Sequence, residues 1–506
     1  MTGNGLKIFK SVQYLYLTAR RWIAVGFLLG VLTACQSDKP IPSTQQVTLQ
    51  PSPETTPARP ATTPRPSLAT VTPLATGVTS AGQNESIDLE GTTFEFWFTV
   101  SDAVQPALLG LIDEFNRENL WGVRVVGVPF ESYGVMEERY RQARLERVLP
   151  GLIAGYTEQV LYWDAGGFSL RDVSDYIENP TWGLTQEDVS DFIPAIWKRE
   201  ELSWKTLGSK TGVRVGLPWH RIGTVILYNQ TWAEEFGFRA SPSTPEDFQR
   251  QACQAATANL EDDERENDGS GGWLVSMDSS TLLSWIFAFG GQVDRQDGQG
   301  YRFDSPEARN ALQFIHDLRG KGCAWITEEP LPFQAFSERK ALFVTVSLAE
   351  LPAAHEFLVE SGFQDTWIVL PFPSPDGPAA IDLYGPTLVL MRASSKAELA
   401  AWLFARWLTS SEIQVEWSLR TGYFPSRSSA LMRLESNQKL LPQQQQAMRL
   451  LHLSQPEPAF ASWSQVRWAL GDALMQLLST NFQREQIEDL LENLNLLAAE
   501  LFRQYR

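Results

Sequence analysis

The short motifs that would announce a reaction are each broken in this chain. His355-Glu356 opens like a zinc-protease helix, where two histidines four residues apart share one face, but Val359 stands at the second position. The other histidines, His220, His316 and His452, are too scattered to suggest a metal site. Gly208-Ser209-Lys210-Thr211 resembles the end of a phosphate-binding loop, yet Ser203 replaces the leading glycine and Lys210 does not follow Gly208 directly. Gly167-Phe168-Ser169-Leu170-Arg171 ends in arginine where a nucleophile elbow needs glycine. The acidic run Glu261–Asp268 lacks calcium-loop spacing, with Val275 where a bidentate glutamate belongs, and reads as a solvated loop. A pair of catalytic carboxylates has no short motif, so that chemistry stays open. No metal and no cofactor is implied.

Aromatic and polar side chains at the ends of apolar segments offer binding chemistry instead. Trp97 and Thr99 end the segment Thr93–Phe98, whose alternation reads as a strand. Tyr156 and Glu158 follow the Gly151–Gly155 strand. Trp219, His220 and Arg221 follow Gly216–Pro218, and polar groups at strand ends face the cleft in α/β sheets. Asp278, Ser279 and Ser280 precede the apolar helix Leu282–Phe289, where they could equally cap it. Most of the 18 tryptophans, Trp285, Trp402 and Trp407 among them, sit in apolar helical patterns and read as core.

The positioning elements alternate. After Thr93–Phe98 come a helix over 103–118, a strand Val123–Val128 and a helix over 133–148, which is the rhythm of an α/β domain with a largely parallel sheet. Val213–Leu217, Thr224–Tyr228, Ala341–Val346 and Leu388–Leu390 read as further strands, Pro306–Leu318 and 396–408 as helices, and helices dominate from Gln443 on. At 506 residues the chain can fill two cores.

The ends and the composition speak to location. Arg20 and Arg21 precede the apolar run Trp22–Leu32, too short to span a bilayer, and Leu32-Thr33-Ala34-Cys35 follows. This resembles a lipoprotein signal, cleaved before Cys35, which then carries the lipid; the alternative is a short membrane anchor with an incidental cysteine. Nine prolines between Pro40 and Pro73, among Thr, Ser and Gln, make residues 35–88 a disordered tether. Removing the first 34 residues, whose four charges (Lys7, Lys10, Arg20, Arg21) are all basic, takes the net charge from −18 to −22. Such an acidic chain is a poor nucleic-acid partner. Cys253 and Cys323 remain as a candidate disulfide, favoured by export, or as two buried thiols.

Five segments together resemble the family 1 extracellular solute-binding proteins, the maltose-binding-protein-like receptors. They are Gly216-Leu217-Pro218-Trp219 with Thr224–Asn229, Thr244–Phe248, Phe336–Leu342, Ala400–Leu408, and Thr421-Gly422-Tyr423-Phe424-Pro425-Ser426-Arg427. Their order matches across nearly all of residues 92–506. Arg339 replaces a usual glycine, and Leu348 stands where a sugar-stacking tryptophan is found. The resemblance implies a two-lobe periplasmic-binding-protein type II fold with a multi-crossing hinge. Its lobes would be 89–222 with 381–423 and 223–380 with 424–506, after a signal peptide (1–34) and tether (35–88).

The implied function is a lipid-anchored, extracytoplasmic, monomeric receptor that passes a small polar ligand, a sugar first, to the permease subunits of an ABC transporter. A carbohydrate-active enzyme and a ligand sensor are the alternatives. Sugars need aromatic platforms for their faces and charged or amide groups for their hydroxyls. By resemblance Trp463 aligns with a stacking tryptophan, and Tyr384 and Gly385 lie at the second lobe crossing. They join Trp97, Thr99, Tyr156, Glu158, Trp219, Arg221, Asp278 and Ser280 as candidate ligand contacts.

Overall fold

The computed structural model describes residues 88–164, 169–201, 213–295, 297–327 and 332–505; the signal segment, Cys35 and the tether lie outside them. Residues Asn84–Arg506 form one compact unit. Among the described residues no helix is long and apolar enough to cross a membrane.

Two sheets organise the unit. The first has strand order β2-β1-β3-β11-β4, from β1 (Thr93–Phe98), β2 (Arg124–Pro129), β3 (Leu152–Gly155), β4 (Gly216–Pro218) and β11 (Thr387–Leu390). The second runs β13-β10-β5-β8-β6-β7, with β9 and β12 also paired to β5. Its strands are β5 (His220–Asn229), β6 (Gly271–Leu274), β7 (Ala324–Trp325), β8 (Ala341–Ser347), β9 (Trp367–Leu370), β10 (Ile381–Tyr384), β12 (Phe424–Pro425) and β13 (Ser454–Pro456).

The expected parallel sheet is only partly realised. β1 pairs parallel with β2 and β3, joined through the helices Gln105–Glu118 and Tyr133–Glu146. β11, however, inserts antiparallel between β3 and β4, and β5 is antiparallel to all four of its partners. The cause is the connection. A chain arriving from the other sheet needs no helical crossover, and so is not held to the parallel direction.

Side-chain alternation fills both faces of each sheet. On β1, Phe94, Phe96 and Phe98 join one core with Leu108, Phe115, Trp402 and Phe404, while Trp97 joins Met136, Tyr140 and Trp163 on the other face. On β5, Ile226 and Tyr228 join Phe248, Trp273 and Trp285, while Val225 and Leu227 face Val344 and Leu348.

The chain changes sheets at three places. Trp219 alone separates β4 from β5, and Gly385-Pro386 separates β10 from β11. The third lies between the helix Ser411–Thr421, which packs on the first core through Ile413 and Trp417, and β12, which joins β5. Such a set of short crossings is a hinge between two lobes.

Cys253 and Cys323 form a disulfide (Cα–Cα 4.5 Å) that ties the helix Pro245–Glu261 to the start of β7. The bridge closes a 70-residue separation and on a chain-entropy model contributes about 4 kcal/mol. Replacing both cysteines with alanine is expected to lower unfolding free energy in urea by that order. A loss under about 1 kcal/mol would refute the entropic account.

Candidate functional site

Backbone geometry first fixes the hinge. Gly385 has φ 154°, and a Cβ there would lie 2.5 Å from the His220 carbonyl oxygen and 2.9 Å from Arg221 Cα. Only glycine lets the second crossing lie this close to the first. Arg221 joins the same two crossings: its Nη1 donates to the carbonyls of His220 (2.9 Å) and Pro386 (2.8 Å), and Nη2 pairs with Glu200 at 2.5 Å. Burial lowers the Arg221 guanidinium to about 10, so it stays charged near neutral pH. Burial works against the Glu200 carboxylate, but Arg221 and Arg199 hold it below its usual range.

From this anchor the charges run on through further pairs. Arg199 pairs with Glu158 (2.9 Å) and Glu200 (3.3 Å), and its Nε donates to the Glu457 carbonyl (3.0 Å). Glu457 follows β13; its carboxylate accepts from the Trp463 indole (2.7 Å) and pairs with Arg467. Arg467, on the helix Trp463–Leu477, also reaches Ser280 Oγ (2.9 Å) and Asp278 (3.3 Å). Its guanidinium lies over the Tyr384 ring at 4.9 Å. Asp278 caps the helix Ser279–Ala288 by accepting from Ser280 N.

Three tyrosines gather beside these charges. The rings of Tyr133 and Tyr156 are 5.0 Å apart, and Tyr156 lies 6.3 Å from Tyr384. Tyr133 and Tyr156 sit at the N-termini of first-lobe helices, and Tyr384 ends β10. Each ring and Arg467 keep part of their surface accessible. Burial nevertheless pushes all three phenols well up.

Of the residues singled out from the sequence, Tyr156, Glu158, Tyr384, Asp278 and Ser280 come together here, and Gly385 and Arg221 form the hinge beneath. Trp463 meets the group through its N–H on Glu457; its ring is fully buried, 5.6 Å from Tyr301. Trp219 stacks on Trp417 (5.0 Å) in the first-lobe core. Trp97 packs under Phe130, and Thr99 has a buried hydroxyl without a hydrogen bond. Tyr133, Arg199, Asp382, Glu457 and Arg467 escaped the sequence reading. Two left a trace: an acid inside the apolar strand Ile381-Asp382-Leu383, and an acid between prolines at Pro456-Glu457-Pro458.

A profile of the bacterial extracellular solute-binding proteins matches residues 110–440. The chain belongs to that family. Solved structures share the fold of this solute-binding protein. One is the cyclic α-maltosyl-1,6-maltose binding protein of Arthrobacter globiformis, with TM-score 0.67, 17% identity, and 82% of this chain and 99% of that one covered. Another is the sugar-binding protein MalE of Xanthomonas citri, with TM-score 0.66, 17% identity, and coverage of 82% and 98%. A third is UgpB of Mycobacterium tuberculosis in complex with glycerophosphocholine, with TM-score 0.63, 17% identity, and coverage of 81% and 98%. No curated protein matches the chain.

His220 carries a pH signature of the hinge. Its Nδ1 accepts from the Trp417 indole (3.2 Å) and its ring stacks on Tyr423 at 4.4 Å. Burial, then Arg221, pushes the imidazole well below its ordinary value. The unfolded chain takes up this proton below pH about 6.5 and the folded one does not, so stability falls as pH drops through that value. Between pH 6.5 and 5.5 the parent should lose up to about 1 kcal/mol more than His220→Gln in urea titrations. Equal losses would show that His220 is not held neutral.

Proposed function

We propose that this chain captures a carbohydrate between its two lobes and delivers it to the membrane subunits of an ABC importer. The observation that carries the reading is the meeting of Tyr133, Tyr156 and Tyr384 with Arg467, Asp278 and Ser280. Three aromatic rings offer faces for the C–H surfaces of a sugar, and the charged and hydroxyl groups offer partners for its hydroxyls. Family membership and neighbours whose own names specify cyclic α-maltosyl-1,6-maltose or a sugar support the choice. Tyr156, Glu158, Tyr384, Asp278, Ser280 and Arg467 are the proposed ligand set, with Trp463 supporting Glu457. Trp97, Thr99 and Trp219 act behind them, in packing, and Arg221 and Gly385 set the hinge.

Lobe limits of 89–222 with 381–423, and 223–380 with 424–506, belong to the same proposal. The changes of sheet at Trp219 and at Gly385-Pro386 support them to within a few residues. The same proposal includes attachment to the outer face of the membrane by lipid on Cys35, after cleavage of residues 1–34, with the tether giving reach. The receptor acts as a monomer and without catalysis.

The test is thermal unfolding against a panel of sugars, polyols, phosphates and peptides, followed by calorimetric titration. A ligand at 100 times its Kd stabilises the folded state by about 2.7 kcal/mol. A sugar is expected to raise the melting temperature, and Tyr156→Ala and Tyr384→Ala each to weaken its binding about tenfold or more. A shift with peptides alone, or unchanged affinity in both variants, would refute the assignment.

A further inference from the structure

The acidic and basic groups around the proposed cleft do not balance, and one buried acid lacks an ordinary hydrogen bond. Among the described residues the cations of the cluster are Arg199, Arg221 and Arg467, and each is already bound to carboxylates. Arg199 holds Glu158 and Glu200, Arg221 holds Glu200, and Arg467 holds Glu457 and Asp278. No guanidinium is left over for a phosphate or carboxylate brought by a ligand. An anion could bind only by breaking a buried pair and stranding its carboxylate.

Asp382 is the opposite case. It is fully buried on β10, two residues before Tyr384 and therefore on the same face of the strand. Neither of its carboxyl oxygens makes a hydrogen bond of ordinary geometry. Glu457, Arg467 and Ser280 are its polar neighbours, and Arg467 is committed to Glu457, Ser280 and Asp278. Burial, with Glu457 beside it, pushes the Asp382 carboxyl well above the usual range. A buried acid held only by loose contacts with Ser280 and Glu457 costs stability unless something else uses it. What fits it is a hydrogen-bond donor, and in a site where carboxyl groups outnumber guanidiniums a positively charged donor fits best.

We infer that the cleft selects a polyhydroxylated ligand carrying a protonated amine, an amino sugar, over its uncharged and anionic counterparts, and that Asp382 receives the amine. The inference rests on the carbohydrate reading above and adds the ligand's charge. Asp382 is fully enclosed, so Arg467 and Ser280, its polar neighbours, must give way for the amine to reach it.

Calorimetric titration of the full chain with matched sets tests this: glucose, glucosamine, N-acetylglucosamine and glucose 6-phosphate, and the galactose and mannose counterparts. In one set the free amine is expected to bind at least about tenfold tighter than the parent and the N-acetyl form, and the phosphate weakest. Asp382→Asn should bring the amine-to-parent ratio toward one, with Asp382→Ser as a second variant should the first fail to fold. A parent sugar binding as tightly as its amine, a phosphate binding more tightly than either, or a ratio unmoved in a folded Asp382 variant would overturn the charge selection alone. Failure of every sugar, whatever its charge, would overturn the carbohydrate reading with it.

Discussion

Arg221 is a guanidinium buried where the chain passes from one sheet to the other, and the geometry of the region follows from satisfying it. Removing such a charge from water costs several kcal/mol, and attraction in the interior offsets that only if the remaining donors find partners. Here the partners are Glu200 and the carbonyls of His220 and Pro386, which belong to two different crossings. The arginine therefore adds definition more than stability, because it fixes how far apart the two hinge strands lie. Gly385 is the steric half of the same constraint, since a side chain there would displace the strand whose carbonyls Arg221 needs.

The charge sequence that begins at Arg221 extends outward without interruption. Glu200 links to Arg199, Arg199 links to Glu158 and to the backbone of Glu457, and Glu457 links to Arg467 and Trp463. Glu158 and Arg199 lie on helices that precede β4, and Glu457 and Arg467 lie after β13. Two sets of ion pairs, joined by one hydrogen bond from Arg199 to the Glu457 carbonyl, thus tie the hinge to the residues of the proposed cleft. A change in the angle between lobes must reorganise these pairs, which makes them a natural place for ligand and hinge to influence each other.

Low sequence identity to solved structures sits beside a shared fold for a physical reason. The fold depends on apolar alternation along β1, β5 and β8 and on glycine at tight crossings, and many side chains meet those demands. The ligand site depends on individual polar groups in fixed positions, and those need not persist as the fold does.

Local patterns in the sequence determined β1, the helices around it, the strand at Ala341 and the two-core size, because periodicity and chain length are local or global properties that need no contacts. They also marked the only two cysteines of the described fold, whose pairing the structure confirms, while the Thr421–Arg427 segment was marked by the family resemblance. The antiparallel placement of β11 and the partners of β5 came from tertiary structure, since strand direction is set by where a chain returns from. The site divides the same way. Tyr156, Glu158, Asp278 and Ser280 were legible as polar or aromatic residues at element ends, and Tyr384 only through the family resemblance. Arg199, Arg467 and the buried Asp382 were not, because an arginine on a helix looks solvated and an acid in a strand looks like an exposed edge until the fold encloses it. Trp219 and Trp463 show the converse: a tryptophan near a strand end can serve a cleft or a core, and only packing against Trp417 and Tyr301 decides.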